Sequence, residues 1–123
     1  MLLTLLVGCT DITQEKYTDE GSYYVEYESN PSPIPLNKYF TITVFPYADD
    51  TKSSILQDID VFVDATMPAH GHGMNEQATM TLQEDGSFLA EGLKWHMEGL
   101  WELEIYVTQE STDTAKFEIE CCY

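Results

Sequence analysis

Residues 57–65, with the sequence QDIDVFVDA, alternate between apolar and acidic side chains and decide the fold. One face carries Ile59, Val61, Val63 and Ala65, and the other carries Asp58, Asp60 and Asp64. A period of two is typical of a half-buried β-strand, because successive side chains of a strand point to opposite faces. We therefore predict a strand here, with its apolar face on a core.

The same period recurs on both sides of this stretch. It is found in GSYYVEYES (21–29), KYFTITVF (38–45), QATMTLQ (77–83), SFLAEG (87–92), LWELEIYVTQ (100–109) and TAKFEIEC (114–121). The pair Asp85-Gly86 is a strong signal for a tight hairpin, and three prolines in residues 30–37 rule out a central strand there. About seven short strands predict an antiparallel immunoglobulin-like β-sandwich, with a small β-barrel as the alternative.

The chain begins with an apolar run, MLLTLLVGC, that is shorter than the roughly 20 residues needed to span a membrane. It resembles the end of a signal peptide, and LVGC resembles the bacterial lipobox, although no basic residue precedes the run. The resemblance implies a lipid on Cys9, with residues 1–8 a signal peptide remnant. We then expect a flexible tether over residues 9–21 and a sandwich domain over 22–123. A frayed apolar N-terminus is the alternative.

Composition narrows the classes of partner. The 123 residues are enough for one domain, and 5 Lys and Arg against 22 Asp and Glu give a formal charge of −17. Such a field repels nucleic acid and anionic membrane, so we expect membrane contact only through the lipid on Cys9. No spacing of nucleophile and base stands out, so we do not expect an enzyme.

Two segments concentrate histidine and methionine. MPAHGHGM (67–74) and GLKWHMEG (92–99) hold all 3 histidines and 3 of the 5 methionines. In an up-and-down run of strands, the loop after residues 57–65 and the loop after residues 87–92 lie at the same end of the domain. We therefore predict one shared site whose candidate ligands are Met67, His70, His72, Met74, His96 and Met97.

The residue types indicate which metal this site would take. Thioether sulfur is a poor ligand for zinc, calcium and magnesium, whereas it suits Cu(I), and imidazole suits copper in either oxidation state. One ion takes about four ligands, so the six residues form a pool. Glu76 and Glu98 are candidates to orient imidazole N–H groups. Trp95 is a candidate to place an indole face within about 6 Å of the cation.

A family resemblance points the same way. The chain resembles the YtkA-like domain family, related to FixH, over roughly residues 39–120. The matching residues are Met67, Pro68, His70, Gly71, His72, Met74, Asp85, Gly86, Phe88, Met97, Gly99, Trp101 and Leu103. The resemblance implies a small extracytoplasmic β-sandwich, similar in layout to CopC-type copper carriers. It also implies a role in copper handling or oxidase assembly, with a copper-receiving envelope protein or oxidase as partner.

These inferences predict a lipid-anchored, extracytoplasmic copper carrier, buffer or delivery protein that favours Cu(I). The alternative is a structural or protein-interaction sandwich of the cell envelope without a metal. Cys121 and Cys122 end the chain in CCY, where they are candidates for free thiols, a vicinal pair or soft-metal ligands. Strand alternation places Cys121 on the core face and Cys122 on the outer face.

Overall fold

The computed structural model describes residues 14–122, which form nine β-strands in two antiparallel sheets. The strands are β1 Glu15–Tyr17, β2 Tyr24–Asn30, β3 Tyr39–Tyr47, β4 Asp60–Met67, β5 His72–Gly73, β6 Thr79–Leu82, β7 Phe88–Lys94, β8 Gly99–Thr108 and β9 Thr112–Cys121. One sheet has the order β1-β2-β3-β7-β6 and the other β5-β4-β8-β9. The predicted antiparallel sandwich is confirmed, with two short strands, β1 and β5, in addition to the expected seven.

The core lies between the two sheets and follows the alternation seen in the sequence. In the central pair β4 and β8, Val63 lies opposite Ile105 and Ala65 lies opposite Leu103, and all four side chains are fully buried. Cross-strand partners project to the same face of a sheet, so each pair adds to one continuous inner surface. Burying an aliphatic side chain of this size contributes about 1.5–3 kcal/mol, which makes the inner faces the main source of stability.

Strand β1 corrects the expected extent of the tether. Residues 15–17 were assigned to a flexible tether over 9–21, but Lys16 pairs with Val25 of β2, and Thr18 is 2% exposed. The Thr18 hydroxyl donates a hydrogen bond to the Asp113 carboxylate on β9 at 2.6 Å. This contact joins residues far apart in the sequence, so a short polar strand is stabilised without an apolar alternation of its own.

Both histidine segments lie at one end of the sandwich, as strand counting predicted. The chain leaves β4 at Met67, returns for two residues in β5, and crosses to β6 in the other sheet. Strand β7, antiparallel to β6, brings the chain back to the same end before β8 begins at Gly99. The extra strand β5 is only a short return along β4, so it leaves the end unchanged.

Some predictions concern residues that the structure does not describe. The signal peptide remnant of residues 1–8, the lipid on Cys9 and the first part of the tether all lie outside residues 14–122. Within the described range, no helix has the length and apolar character needed to cross a membrane.

Candidate metal centre

His72 is placed on the inner side of its sheet by its strand pairing. It is the cross-strand partner of Met67, the last inward residue of β4, and its side chain is half-buried. The ring Nδ1 lies 3.1 Å from the carbonyl oxygen of Gly73. A carbonyl oxygen can only accept, so this contact places a proton on Nδ1, and in the neutral ring the Nε2 lone pair is then free.

The turn between β4 and β5 carries His70 on its outside. The N–H groups of His70 and Gly71 both donate to the Met67 carbonyl oxygen at 3.0 Å. Gly71 closes the turn with a φ of +69°, a left-handed conformation that glycine adopts without strain. The His70 side chain is exposed, and its ring centroid lies 5.8 Å from that of His72.

His96 reaches the site from the opposite sheet. It follows β7, where Trp95 bridges to Leu36 and its carbonyl oxygen accepts a hydrogen bond from the Asn37 N–H at 2.9 Å. The ring centroids of His96 and His72 are 5.3 Å apart. The His96 Nδ1 is buried and has no hydrogen-bond partner among the described residues. The two segments therefore bring His72 and His96 together at one end of the sandwich, as strand counting predicted. The two residues come from different sheets.

The indole beside these imidazoles is that of Trp101, not Trp95. The Trp101 ring centroid lies 6.2 Å from that of His72 and 5.8 Å from that of His96, nearly perpendicular to both. Trp95 is stacked behind Trp101 at 5.0 Å and is fully buried. The expectation that Trp95 would face the cation is corrected. Trp101 is the first inward-facing, buried residue of β8, a position that could have signalled its place at the mouth.

The three methionines of the two segments occupy different environments. Met67 is 1% exposed, and its Cε lies 2.9 Å from where a Cβ on Gly99 would stand. Met74 and Met97 are partly buried and pack against the core. Met97 is held by its carbonyl oxygen, which accepts a hydrogen bond from the Trp101 Nε1–H at 2.9 Å. Met67 thus belongs to the core, while Met74 and Met97 lie at its border with the site.

A polar pocket of about 140 Å³ adjoins His96. Asn37, Asn75, Glu76 and Lys94 line it together with His96. The Tyr39 hydroxyl donates to both oxygens of the Glu76 carboxylate, at 3.1 and 3.0 Å, and this contact raises the pKa of Tyr39. Glu76 and Glu98 are both exposed. Glu76 lies beside His96, but its carboxylate binds Tyr39, and neither glutamate forms a hydrogen bond to an imidazole among the described residues.

Within residues 14–122, no three side chains of His, Cys, Asp and Glu are grouped so that they could hold a metal ion. The imidazole pair of His72 and His96 stands without a third donor of these types. Thioethers are the remaining soft donors of the two segments, so a metal bound here would depend on methionine for its other ligands.

The two cysteines lie at the end of β9 that is nearest to the site, and their side chains pack against the core. Cys121 is opposite Gly99 and is 4% exposed, so its predicted inward orientation is confirmed. Cys122 is partly buried and packs against the core, where an outward orientation had been predicted. The two sulfur atoms are in contact with each other. The alternation stops at the end of β9, so it does not predict the orientation of Cys122.

Comparison with known proteins adds a family and a fold. A family profile described as YtkA-like matches residues 17–106. A search of curated proteins found no match. Among solved structures, a DUF4426 family protein from Pseudomonas aeruginosa PAO1 has 18% identity and a TM-score of 0.61, with 89% of this chain and 96% of that chain covered. A copper-bound variant of FetP from uropathogenic Escherichia coli has 7% identity and a TM-score of 0.56, with coverages of 89% and 94%. At these identities the likeness shows a shared fold.

Proposed function

The chain belongs to the YtkA-like family, and from this premise and the geometry of the site we propose that it binds copper, with Cu(I) favoured. We assign His72, His96, Met74 and Met97 as the ligands. The protein would carry, buffer or deliver the ion rather than convert a substrate. The ligands lie at an open end of the sandwich, where a partner could exchange the ion.

The spacing of the two imidazoles carries this proposal. With metal–nitrogen bonds of about 2.0 Å, the centroids of two rings on one ion lie at most about 6.4 Å apart. The observed 5.3 Å between His72 and His96 is within that limit and fits a bent arrangement. The 5.8 Å between His70 and His72 is also within it, so the choice of His96 over the exposed His70 rests on burial. The buried Nδ1 of His96 has no partner in the described chain, which is the state expected of a ligand atom.

The donor set then favours copper over other metals. Two imidazoles joined by thioethers of the same two segments would be a poor site for zinc, which prefers thiolate, imidazole and carboxylate, and for calcium or magnesium, which prefer oxygen. Cu(I) accepts both donor types. The FetP structure, copper-bound by its description, supports the proposal in that a sandwich of this layout occurs in a copper-bound protein.

The cellular setting is part of the proposal. A lipid on Cys9 would anchor the protein to the extracytoplasmic face of the cell envelope, and membrane contact would be limited to that lipid. A copper-receiving envelope protein or an oxidase would be the partner. Mass spectrometry of Cys9 in protein isolated from membranes, with Cys9→Ser as the control, tests the anchor. An unmodified Cys9 would remove this part of the proposal.

Titration with Cu(I) against a competing chelator tests the site itself. We expect His72→Ala and His96→Ala each to lower the affinity by at least about tenfold, which corresponds to about 1.4 kcal/mol. His70→Ala is the matched control, because His70 is exposed on the turn, and we expect a change of less than about threefold. Equal affinities in all four proteins would contradict the assigned ligands, and no binding by the wild type would favour a metal-free interaction sandwich instead.

A further inference from the structure

We propose that Trp101 makes the site select Cu(I) over Cu(II), by attracting the bound ion and by excluding water from the core side of the site. This inference rests on the proposed copper site. It goes beyond that proposal, because it assigns selectivity to a residue that is not a ligand.

The position of the indole carries the inference. Trp101 lies within 6.2 Å of His72 and 5.8 Å of His96, and these two rings lie 5.3 Å apart. The three rings thus form a triangle, and the indole is its one member with no lone pair to offer a metal. Trp101 is fully buried, so it closes the core side of the site as an apolar wall.

This wall cannot easily move. Trp95 is stacked against Trp101 with an angle of 3° between the ring planes, and Phe40 packs edge-on against Trp95 at 5.2 Å. The Trp101 Nε1–H is bound to the carbonyl oxygen of Met97, next to the ligand His96. Stacking on Trp95 and the hydrogen bond to Met97 therefore fix the orientation of the Trp101 indole relative to the two imidazoles.

Cu(I) and Cu(II) prefer different ligands, and the position of Trp101 favours one of these preferences. Cu(II) prefers a tetragonal set of nitrogen and oxygen donors, which here would have to include water, whereas soft thioether ligands select Cu(I). An indole attracts a cation that lies over its face within about 6 Å of the ring centroid, and the attraction is strongest at desolvated sites. An ion held by His72 and His96 over the Trp101 face would meet this condition. The buried Trp101 indole excludes water from its side of the site, which removes ligands that Cu(II) needs. The absence of water also keeps the attraction between indole and cation strong, and both effects favour Cu(I).

The test uses the fact that the chain has 2 tryptophans, so each single variant leaves one. Affinities for Cu(I) and Cu(II) are measured separately, each with its own competing chelator, for wild type, Trp101→Phe and Trp95→Phe. We expect Trp101→Phe to lower the ratio of Cu(I) to Cu(II) affinity by about threefold, because phenylalanine keeps an aromatic face but attracts a cation less strongly than tryptophan. Trp95→Phe is the control and should leave the ratio unchanged, because Trp95 does not face the site and phenylalanine keeps an aromatic ring to stack behind Trp101. An unchanged ratio in Trp101→Phe, or equal shifts in both variants, would overturn the inference.

Fluorescence provides a readout that does not depend on folding of Trp101→Phe. One equivalent of Cu(I) should quench the emission of wild type and of Trp95→Phe, in which Trp101 is the remaining indole. Cu(I) binding to the wild type without any change of emission would contradict the contact with Trp101. Absence of Cu(I) binding by the wild type would instead remove the proposed function, so the two failures are distinguishable.

Discussion

At the scale of single residues, the site arises where an inward-facing row of side chains reaches the end of the sandwich. Val61, Val63, Ala65 and Met67 face inward along β4, and His72 continues that inner face as the partner of Met67. Deep in the core an imidazole without partners would be costly. At the mouth it remains half-buried, with one nitrogen satisfied by a carbonyl, so a polar ring is tolerated there.

Replacing methionine by leucine separates packing from ligation, because leucine has a similar volume and no sulfur. We expect Met97→Leu to lower Cu(I) affinity by at least about fivefold while unfolding in urea changes by less than about 1.5 kcal/mol. Met67→Leu is the matched control and should keep both properties close to wild type, because Met67 packs in the core. A large loss of Cu(I) affinity in Met67→Leu with none in Met97→Leu would reverse our assignment.

At the scale of elements, the edge strand β1 is held by Asp113 across the two sheets. Besides the Thr18 hydroxyl, this buried carboxylate accepts hydrogen bonds from the backbone N–H groups of Glu20 at 3.1 Å and Ser22 at 3.2 Å. Desolvation by burial acts to raise the pKa of Asp113, but the hydrogen bonds from Thr18, Ser22, Glu20 and Thr114 together outweigh it and lower the pKa. The turn between β1 and β2 thus depends on one ionised side chain of β9.

The sign of this shift gives a pH dependence. A folded-state pKa below the unfolded value, about 3.9 for aspartate, contributes stability above that value and loses it as the pH falls through the folded pKa. We therefore expect Asp113→Asn to cost about 1–3 kcal/mol at pH 7 and progressively less in acid. Urea unfolding at several pH values measures this, with Asp60→Asn, an exposed position of β4, as the control. A deficit that is the same at every pH would contradict the account.

The elements also show how far the sequence predicts the molecule. Strands β4 and β8 are long, and one face of each is buried, so their alternation identifies them directly. Strand β1 has three residues and β5 has two, and both depend on partners elsewhere in the chain, so their local sequences carry no signal. The shared end of the two histidine segments follows from strand counting. Strand alternation also places Trp101 at the mouth, as the first inward residue of β8, whereas the stacking of Trp95 behind it depends on how the sheets pack.

At the scale of the whole molecule, the sandwich brings together ligands that no single element could supply. His72 lies in β5 of one sheet, and His96 directly follows β7 of the other sheet. The imidazole pair therefore exists only when both sheets have formed. The formal charge of −17 surrounds this site with a field that attracts cations in general. That field does not discriminate among metals, so selectivity has to come from the soft donors at the mouth.

X-ray absorption spectroscopy of the Cu(I)-loaded protein tests the central claim most directly, because it identifies the atoms bound to the metal. We predict nitrogen ligands at about 2.0 Å together with sulfur ligands at about 2.3 Å. The nitrogen contribution should fall in His72→Ala and in His96→Ala but not in His70→Ala. A spectrum that lacks either nitrogen or sulfur, or that is the same in all of these variants, would contradict a mixed imidazole and thioether site formed by the two sheets.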